Sequence, residues 1–205
     1  MRLIDAIKSK NSNLFCFSSI ITIILAYGFA MFNCTISVDN ENLARLLDWR
    51  LFETGHFGLN IINSVFSVRY FLPTFYMVVC FLLMVFANHI LVNLYKVVSN
   101  GRFDNIASCV FSITVLSYPT FAYKFIFTQG LIQFGFVYLS AVLLVYFYYS
   151  YLKNIGKKSF SLFAIFCLNA FIVFNIETGI IIALMLTFFM LTLDGNFNIK
   201  DLLVP

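Results

Sequence analysis

Charge is what this sequence has least of. Its 205 residues include 13 Lys or Arg and 9 Asp or Glu, and seven of these fall between Asp39 and Arg69. The rest of the chain is nearly bare of charge, which excludes an ordinary soluble surface. Paired cysteines are also missing. Cys16, Cys34, Cys80, Cys109 and Cys167 are scattered without a CxxC or any metal-ligand spacing. That excludes a disulfide framework and a zinc site, and reads as small apolar fillers. No small-x-small site follows the first apolar run, which is too long for the core of a cleaved signal peptide. Met-Phe-Asn before Cys34 is no lipoprotein cleavage site either, so a retained first helix is expected. No internal repeat is present.

What the chain does have is oil. Apolar residues make up 61%, aromatics 19%, Phe alone occurs 27 times, and mean hydropathy is +0.93. One globule of this size cannot hide that much apolar surface, so lipid is the expected solvent. A bilayer core requires about 20 apolar residues per helix. Six runs approach that length: Leu14–Asn33, Tyr70–Leu94, Ile106–Tyr123, Leu131–Leu152, Phe160–Phe174 and Gly179–Leu193. The last two are short and closely joined through Asn175–Thr178. The expectation is an all-α, polytopic integral membrane protein of about six transmembrane helices, one membrane domain over residues 1–205.

Basic residues set the direction of the helices. With the N-terminus cytoplasmic, inner segments hold Arg2, Lys8, Lys10, Lys96, Arg102, Lys153, Lys157, Lys158 and Lys200. Outer segments hold only Arg45, Arg50, Arg69 and Lys124. The net charge of +4 therefore reflects orientation, and nucleic acid is not an expected partner. Residues 35–69 form the one long connection, on the outer side, and long loops in compact chains usually carry function.

That loop has order. Glu41–Glu53 has helical periodicity, with Leu43, Leu46, Leu47 and Leu51 on one face and Glu41, Arg45 and Asp48 on the other. Asp39 or Ser37 suits its N-cap and Gly55 its end. Phe57–Phe66 is a second amphipathic piece, with Phe57, Ile61, Ile62, Val65 and Phe66 as its apolar side. Two helices lying in the membrane interface fit this pattern. Arg50 falls among the leucines: it either snorkels to head groups or turns inward to a phosphate, which its planar fork suits. Trp49 reads as an interfacial anchor, with a substrate platform as the other reading. Asp39 and Glu41 read as capping groups or as chemistry.

The residues Leu25-Ala26-Tyr27-Gly28-Phe29, Phe32-Asn33-Cys34-Thr35-Ile36-Ser37-Val38-Asp39-Asn40-Glu41, Trp49 and Gly55-His56-Phe57-Gly58 carry a family pattern. With Ser117-Tyr118-Pro119-Thr120-Phe121-Ala122-Tyr123, they resemble the N-terminal region of the Gtr type II glucosyltransferases. The resemblance covers about the first 150 residues in order. It implies a GT-C-like glycosyltransferase of the bacterial inner membrane, multi-pass, with its active face periplasmic. The donor it implies is a polyprenyl-phosphate sugar, usually glucose, and the acceptor a cell-surface glycan such as O-antigen. The family architecture is more than twice as long as this chain, which corresponds to its N-terminal part. Two departures stand out. Asn40 replaces an acidic residue of the family motif, and Gly55-His56-Phe57 stands where the family tends to have Gly-Arg-Trp. A protonated His56 can stand in for part of that arginine.

On this resemblance Asp39, then Glu41, is the expected base that takes a proton from the acceptor hydroxyl. One base without a second nucleophile implies a single inverting displacement. Arg50 and Arg69, then Lys124 and Arg45, are the expected cations for the departing phosphate. Two carboxylates offer hard oxygen ligands to a divalent cation, but two alone are weak evidence for a metal. Glu177 reads as an acceptor-binding group or a hairpin cap. Asn88, His89 and Asn93 read as helix-to-helix hydrogen-bond partners, and Tyr146–Tyr151 as an aromatic belt. Two alternatives stay open: a flippase or transporter for lipid-linked sugars, and a truncated non-catalytic membrane protein.

Overall fold

A computed structural model of the chain describes residues 12–32, 62, 73–118, 131–175 and 178–194. These form six helices: α1 Ser12–Phe32, α2 Pro73–Val98, α3 Asn105–Leu116, α4 Leu131–Leu152, α5 Lys158–Val173 and α6 Thr178–Leu193. The described residues contain no strand. Two helices are long and apolar enough to cross a membrane, over Thr74–Val98 and Leu131–Leu152.

Local chemistry sets the helix ends. Pro73 opens α2, where its fixed φ suits the first helical position and its missing N–H costs nothing. At the other end Asn100 (φ 53°) and Gly101 (φ 84°) enter the left-handed region. The Gly101 N–H then donates to the Lys96 carbonyl at 3.1 Å, a Schellman closure. Helix α4 closes the same way: Asn154 lies at φ 55°, and the Ile155 N–H donates to the Ser150 carbonyl at 2.8 Å. Asp104 caps α3 by accepting from the Ala107 N–H at 2.7 Å.

The third helix departs from expectation. A run to Tyr123 was expected, yet α3 stops at Leu116 after 12 residues, about 18 Å of rise. The Ser117 hydroxyl takes the Ile113 carbonyl at 2.6 Å, and Pro119 disfavours helix at the residue before it. Conversely, α2 runs a turn past Leu94 to Val98, because Lys96 at its end reaches Asn105 Oδ1 at 2.9 Å outside the apolar stretch.

Helix α4 is the hub: none of its 22 residues is exposed. It packs against α2, α5 and α6, while α1 packs on α2 and α3. Small residues allow the close approaches. A Cβ on Gly135 would lie 3.0 Å from Leu83 Cδ1 and 3.2 Å from Cys80 Cα, so α2 and α4 touch nearly backbone to backbone there. The other helices each expose one apolar stripe. It holds Phe17, Ile21 and Ile24 on α1, Leu82 and Phe86 on α2, and Ile106, Val110 and Ile113 on α3. On α5 it holds Phe160, Phe163 and Phe166, and on α6 Ile181, Leu184, Met185 and Phe188. In a water-soluble bundle these outward stripes are polar. Polar groups are instead found inside: Ser19, Asn88, His89, Asn93, Ser108, Ser112, Gln133 and Asn175 are all buried. Ile62, the described residue of the long loop, is also buried, 6% exposed, within the main core.

Candidate functional site

Interior polar contacts fix which helix ends lie together. At one end, the buried Tyr27 hydroxyl of α1 donates to the Leu116 carbonyl, the last of α3, at 2.5 Å. Its ring stacks on Phe81 of α2 with centroids 5.7 Å apart. Tyr27 thus joins three helices. At the same end, Gln133 Nε2 in the first turn of α4 donates to the Asn175 carbonyl at 2.9 Å and approaches Asn175 Oδ1 at 3.4 Å. Asn175 Nδ2 in turn donates to the Phe171 carbonyl at 2.7 Å. This pins the turn between α5 and α6 onto α4. Gly179 tightens it further: a Cβ there would collide with Val137 Cγ1 and lie 2.7 Å from Ile172 Cγ2.

Toward the opposite end, His89 of α2 meets α1. Its Nδ1 lies 3.8 Å from Cys16 Sγ, its Nε2 lies 3.1 Å from Asn93 Nδ2, and its ring stacks on Phe15 at 5.7 Å. With the Asn93 amide so turned, Nε2 accepts and Nδ1 carries the proton toward the thiol. The expected helix-to-helix role of His89 is present, while Asn93 serves its own helix. Asn88 behaves differently: it is fully buried, and neither its Oδ1 nor its Nδ2 has a hydrogen-bond partner. A bare buried amide costs roughly 1–3 kcal/mol. Deeper still, the Tyr95 hydroxyl donates to the Leu186 carbonyl at 2.9 Å, and its ring sits against Phe103, Phe111 and Phe189. A second tyrosine therefore ties α2 to α6 by the device Tyr27 uses on α3.

Among the described residues, charge is confined to that second end. The charged residues among those described are Lys96, Arg102, Asp104, Lys153, Lys157, Lys158 and Asp194. Each lies within or just beyond the last turn of α2 or α4, just before α3, just before or at the start of α5, or after α6. Lys153 Nζ and Asp194 Oδ2 form an ion pair at 2.7 Å that ties the ends of α4 and α6. The end that carries Phe32, Pro73, Leu116, Leu131, Val173 and Thr178 has no charged residue among those described.

An open cleft of about 640 Å³ runs between α1 and α3 on the outside of the bundle. Its walls include Phe17, Ile21, Leu25, Cys109 and Ile113, with Ser18, Thr22 and Ser117 as polar points. The four described cysteines are free, and among the described residues no group of three His, Cys, Asp or Glu is placed to hold a metal.

The residues that the sequence singled out for chemistry, Asp39, Glu41, Trp49, Arg50, His56, Arg69, Lys124 and Glu177, lie outside the described residues. So do the two amphipathic segments, apart from Ile62. What sequence reasoning missed is Gln133, whose one signal was a lone amide opening an otherwise apolar run. Tyr27 was noticed only as part of a pattern. No protein-family model, curated protein or solved structure matches the chain.

Proposed function

We propose that the chain crosses a bacterial inner membrane six times with its N-terminus cytoplasmic. There it transfers a sugar, on the periplasmic side, from a polyprenyl-phosphate donor to a cell-surface glycan. The observation that carries the orientation is the charge asymmetry of the bundle. Nine Lys or Arg fall in the segments read as inner and four in those read as outer, and five of the nine gather at one end among the described residues, in line with the excess of cytoplasmic Lys and Arg in membrane proteins. The outward apolar stripes and inward polar groups support immersion in lipid. Helices α5 and α6, at about 24 Å each, and α3 fall short of the ~30 Å hydrocarbon core, which a bilayer accommodates by thinning locally.

Transfer is supported by what the uncharged end joins. Residues 33–72, which include Asp39 and Glu41, connect α1 to α2 across it. The Tyr27 bond to Leu116 brings two segments of the Gtr-like pattern together there, Leu25–Phe29 and the one starting at Ser117. Asp39 is the base, with Glu41 beside it in sequence, and the displacement inverts the sugar. Arg50, Arg69, Lys124 and His56 are the cations that balance the departing phosphate, and Trp49 and Glu177 contact sugar or acceptor. The proton leaves the acceptor hydroxyl for the carboxylate as the new C–O bond forms and the phosphate departs with the electrons of the old one.

The test uses membranes carrying the full chain, polyprenyl-phosphate glucose and an O-antigen acceptor. Wild type transfers glucose. Asp39→Asn inserts normally and loses nearly all transfer, about 10²–10⁴-fold if the base role is correct. A wild-type chain without transfer refutes the transferase reading, and full activity in Asp39→Asn refutes the choice of base. A second reading, a flippase for the same lipid-linked sugar, is favoured by the polar interior at Asn88, His89 and Asn93. Buried polar groups near the middle of spans mark transport pathways. In that case Asn88→Leu or His89→Phe, and not Asp39→Asn, stops sugar movement across vesicles.

A further inference from the structure

The two turns at the charged end are not equivalent. In the turn between α2 and α3, each charge is already engaged: Lys96 on Asn105 Oδ1 at 2.9 Å and the Arg102 Nε on the Ser99 carbonyl at 3.2 Å. Asp104 lies two residues from Arg102, and it caps α3. In the turn between α4 and α5, Lys153 is paired with Asp194. Lys157 and Lys158 follow, both exposed and with no acidic partner among the described residues. Lys158 Nζ sits 5.5 Å from the centroid of the Tyr151 ring, a cation–π contact that places it beside α4 without neutralising its charge. Immediately below, α5 presents Phe160 at 61% exposed, then Phe163 and Phe166, one apolar stripe leading away from the two lysines. Two cations with no acidic partner among the described residues, above three exposed phenylalanines, match an anionic head group above its acyl chains.

We propose that the turn between α4 and α5 is a binding site for an anionic phospholipid of the membrane leaflet at the charged end. Lys157 and Lys158 hold the head-group phosphate, and Phe160, Phe163 and Phe166 lie along an acyl chain. The site rests on the membrane reading and is independent of the transferase reading. Near a membrane surface two lysines together are worth about thirty-fold in affinity for an anionic lipid. The occupant is anionic because no acid among the described residues offsets these lysines, and lipid because the charge opens onto the apolar stripe and not onto the interior.

The experiment titrates the full chain, purified in neutral detergent, with dioleoyl-phosphatidylglycerol or dioleoyl-phosphatidylcholine and counts bound lipid by native mass spectrometry. The expected result is tighter binding of phosphatidylglycerol, weakened about thirty-fold in Lys157→Gln/Lys158→Gln. Phosphatidylcholine binding stays unchanged, and Lys96→Gln/Arg102→Gln remains close to wild type. Lys157→Arg/Lys158→Arg retains the preference, which separates lost charge from lost folding. The proposal is overturned if the Gln pair keeps its preference, if both double variants lose it equally, or if excess inorganic phosphate displaces the lipid completely. Recovery of the chain as a monodisperse species without detergent would instead overturn the membrane reading itself.

Discussion

Gln133 and Asn175 give the sharpest test of how the uncharged end is held. Both are buried, at 5% and 0% exposed, and Gln133 Nε2 donates to the Asn175 carbonyl at 2.9 Å. Gln133→Met keeps the length of the side chain and withdraws the donor. In so buried a site the loss costs about 1 kcal/mol, within the 0.5–1.5 kcal/mol of a typical net hydrogen bond. Asn175→Ala removes more, because Asn175 Nδ2 also holds the Phe171 carbonyl at 2.7 Å at the end of α5. Its expected cost is about 2 kcal/mol. A double-mutant cycle then isolates the shared bond. Hydrogen bonds between membrane helices average about 0.6 kcal/mol in such cycles, since chains unfolded in the bilayer also find partners. A coupling of about 0.5–1 kcal/mol is expected here, measured by reversible denaturation in detergent or bilayer. A coupling indistinguishable from zero, with both single variants at wild-type stability, would refute the claim that this pair pins α5 and α6 to α4. Under the transferase reading, Gln133→Met should also lower transfer while leaving insertion intact, because Glu177 lies in the turn that the pair anchors.

Other substitutions probe separate contacts. Tyr27→Phe keeps the stack on Phe81 and loses the bond to Leu116, so melting should show a loss of about 1 kcal/mol, with Tyr95→Phe similar through Leu186. Gly179→Ala forces a methyl into Val137 and Ile172 and should cost about 1–3 kcal/mol in the same assay; a neutral result would mean that α4 and α6 are not in close contact there. Asp104→Ala removes the cap of α3, worth roughly 0.5–2 kcal/mol, and should appear as faster amide exchange at Ala107 and Ser108. Asp194→Asn breaks the ion pair with Lys153, a half-exposed group, so stability should fall by only about 0.2–1 kcal/mol and less at high salt.

Much of the fold was legible because a bilayer-length apolar run is a strong signal. Each of the six runs coincides with a helix, and the one large error is instructive. Phe121-Ala122-Tyr123 kept the apolar pattern alive beyond Leu116, whereas the turn chemistry of Ser117 and Pro119 had already ended α3. Hydropathy did not say which helix is central. The most evenly apolar run, Gly179–Leu193, lies outside with an exposed stripe, and α4 is the hub. Its marks are the non-apolar ones: Gln133 for a cross-helix bond, Gly135 for close approach, and Ser140 and Ser150 buried. Between helices in lipid, small and polar residues decide the neighbours, since apolar ones gain little by leaving the acyl chains. Tyr27 shows why pattern alone stops short. Its partner is a backbone carbonyl 89 residues away, which no side-chain pattern records.

Among the described residues, the two ends of the bundle differ in the interactions that hold them. Besides the buried Tyr95 bond to Leu186, the charged end relies on an ion pair, a cap and lysines at the surface, interactions that salt and water weaken. The uncharged end relies on neutral hydrogen bonds from Tyr27 and Gln133 to backbone carbonyls in buried positions, together with the contact at Gly179. Such bonds are indifferent to salt and are hard to exchange for water. They also act on the residues that bound the connections: Leu116 ends α3, and Asn175 lies between α5 and α6. Catalytic loops work when a rigid scaffold fixes their ends. Under the transferase reading, that fixity is needed where the lipid-linked sugar meets its acceptor. Tyr27 and Gln133 are placed to supply it, through Leu116 and Asn175.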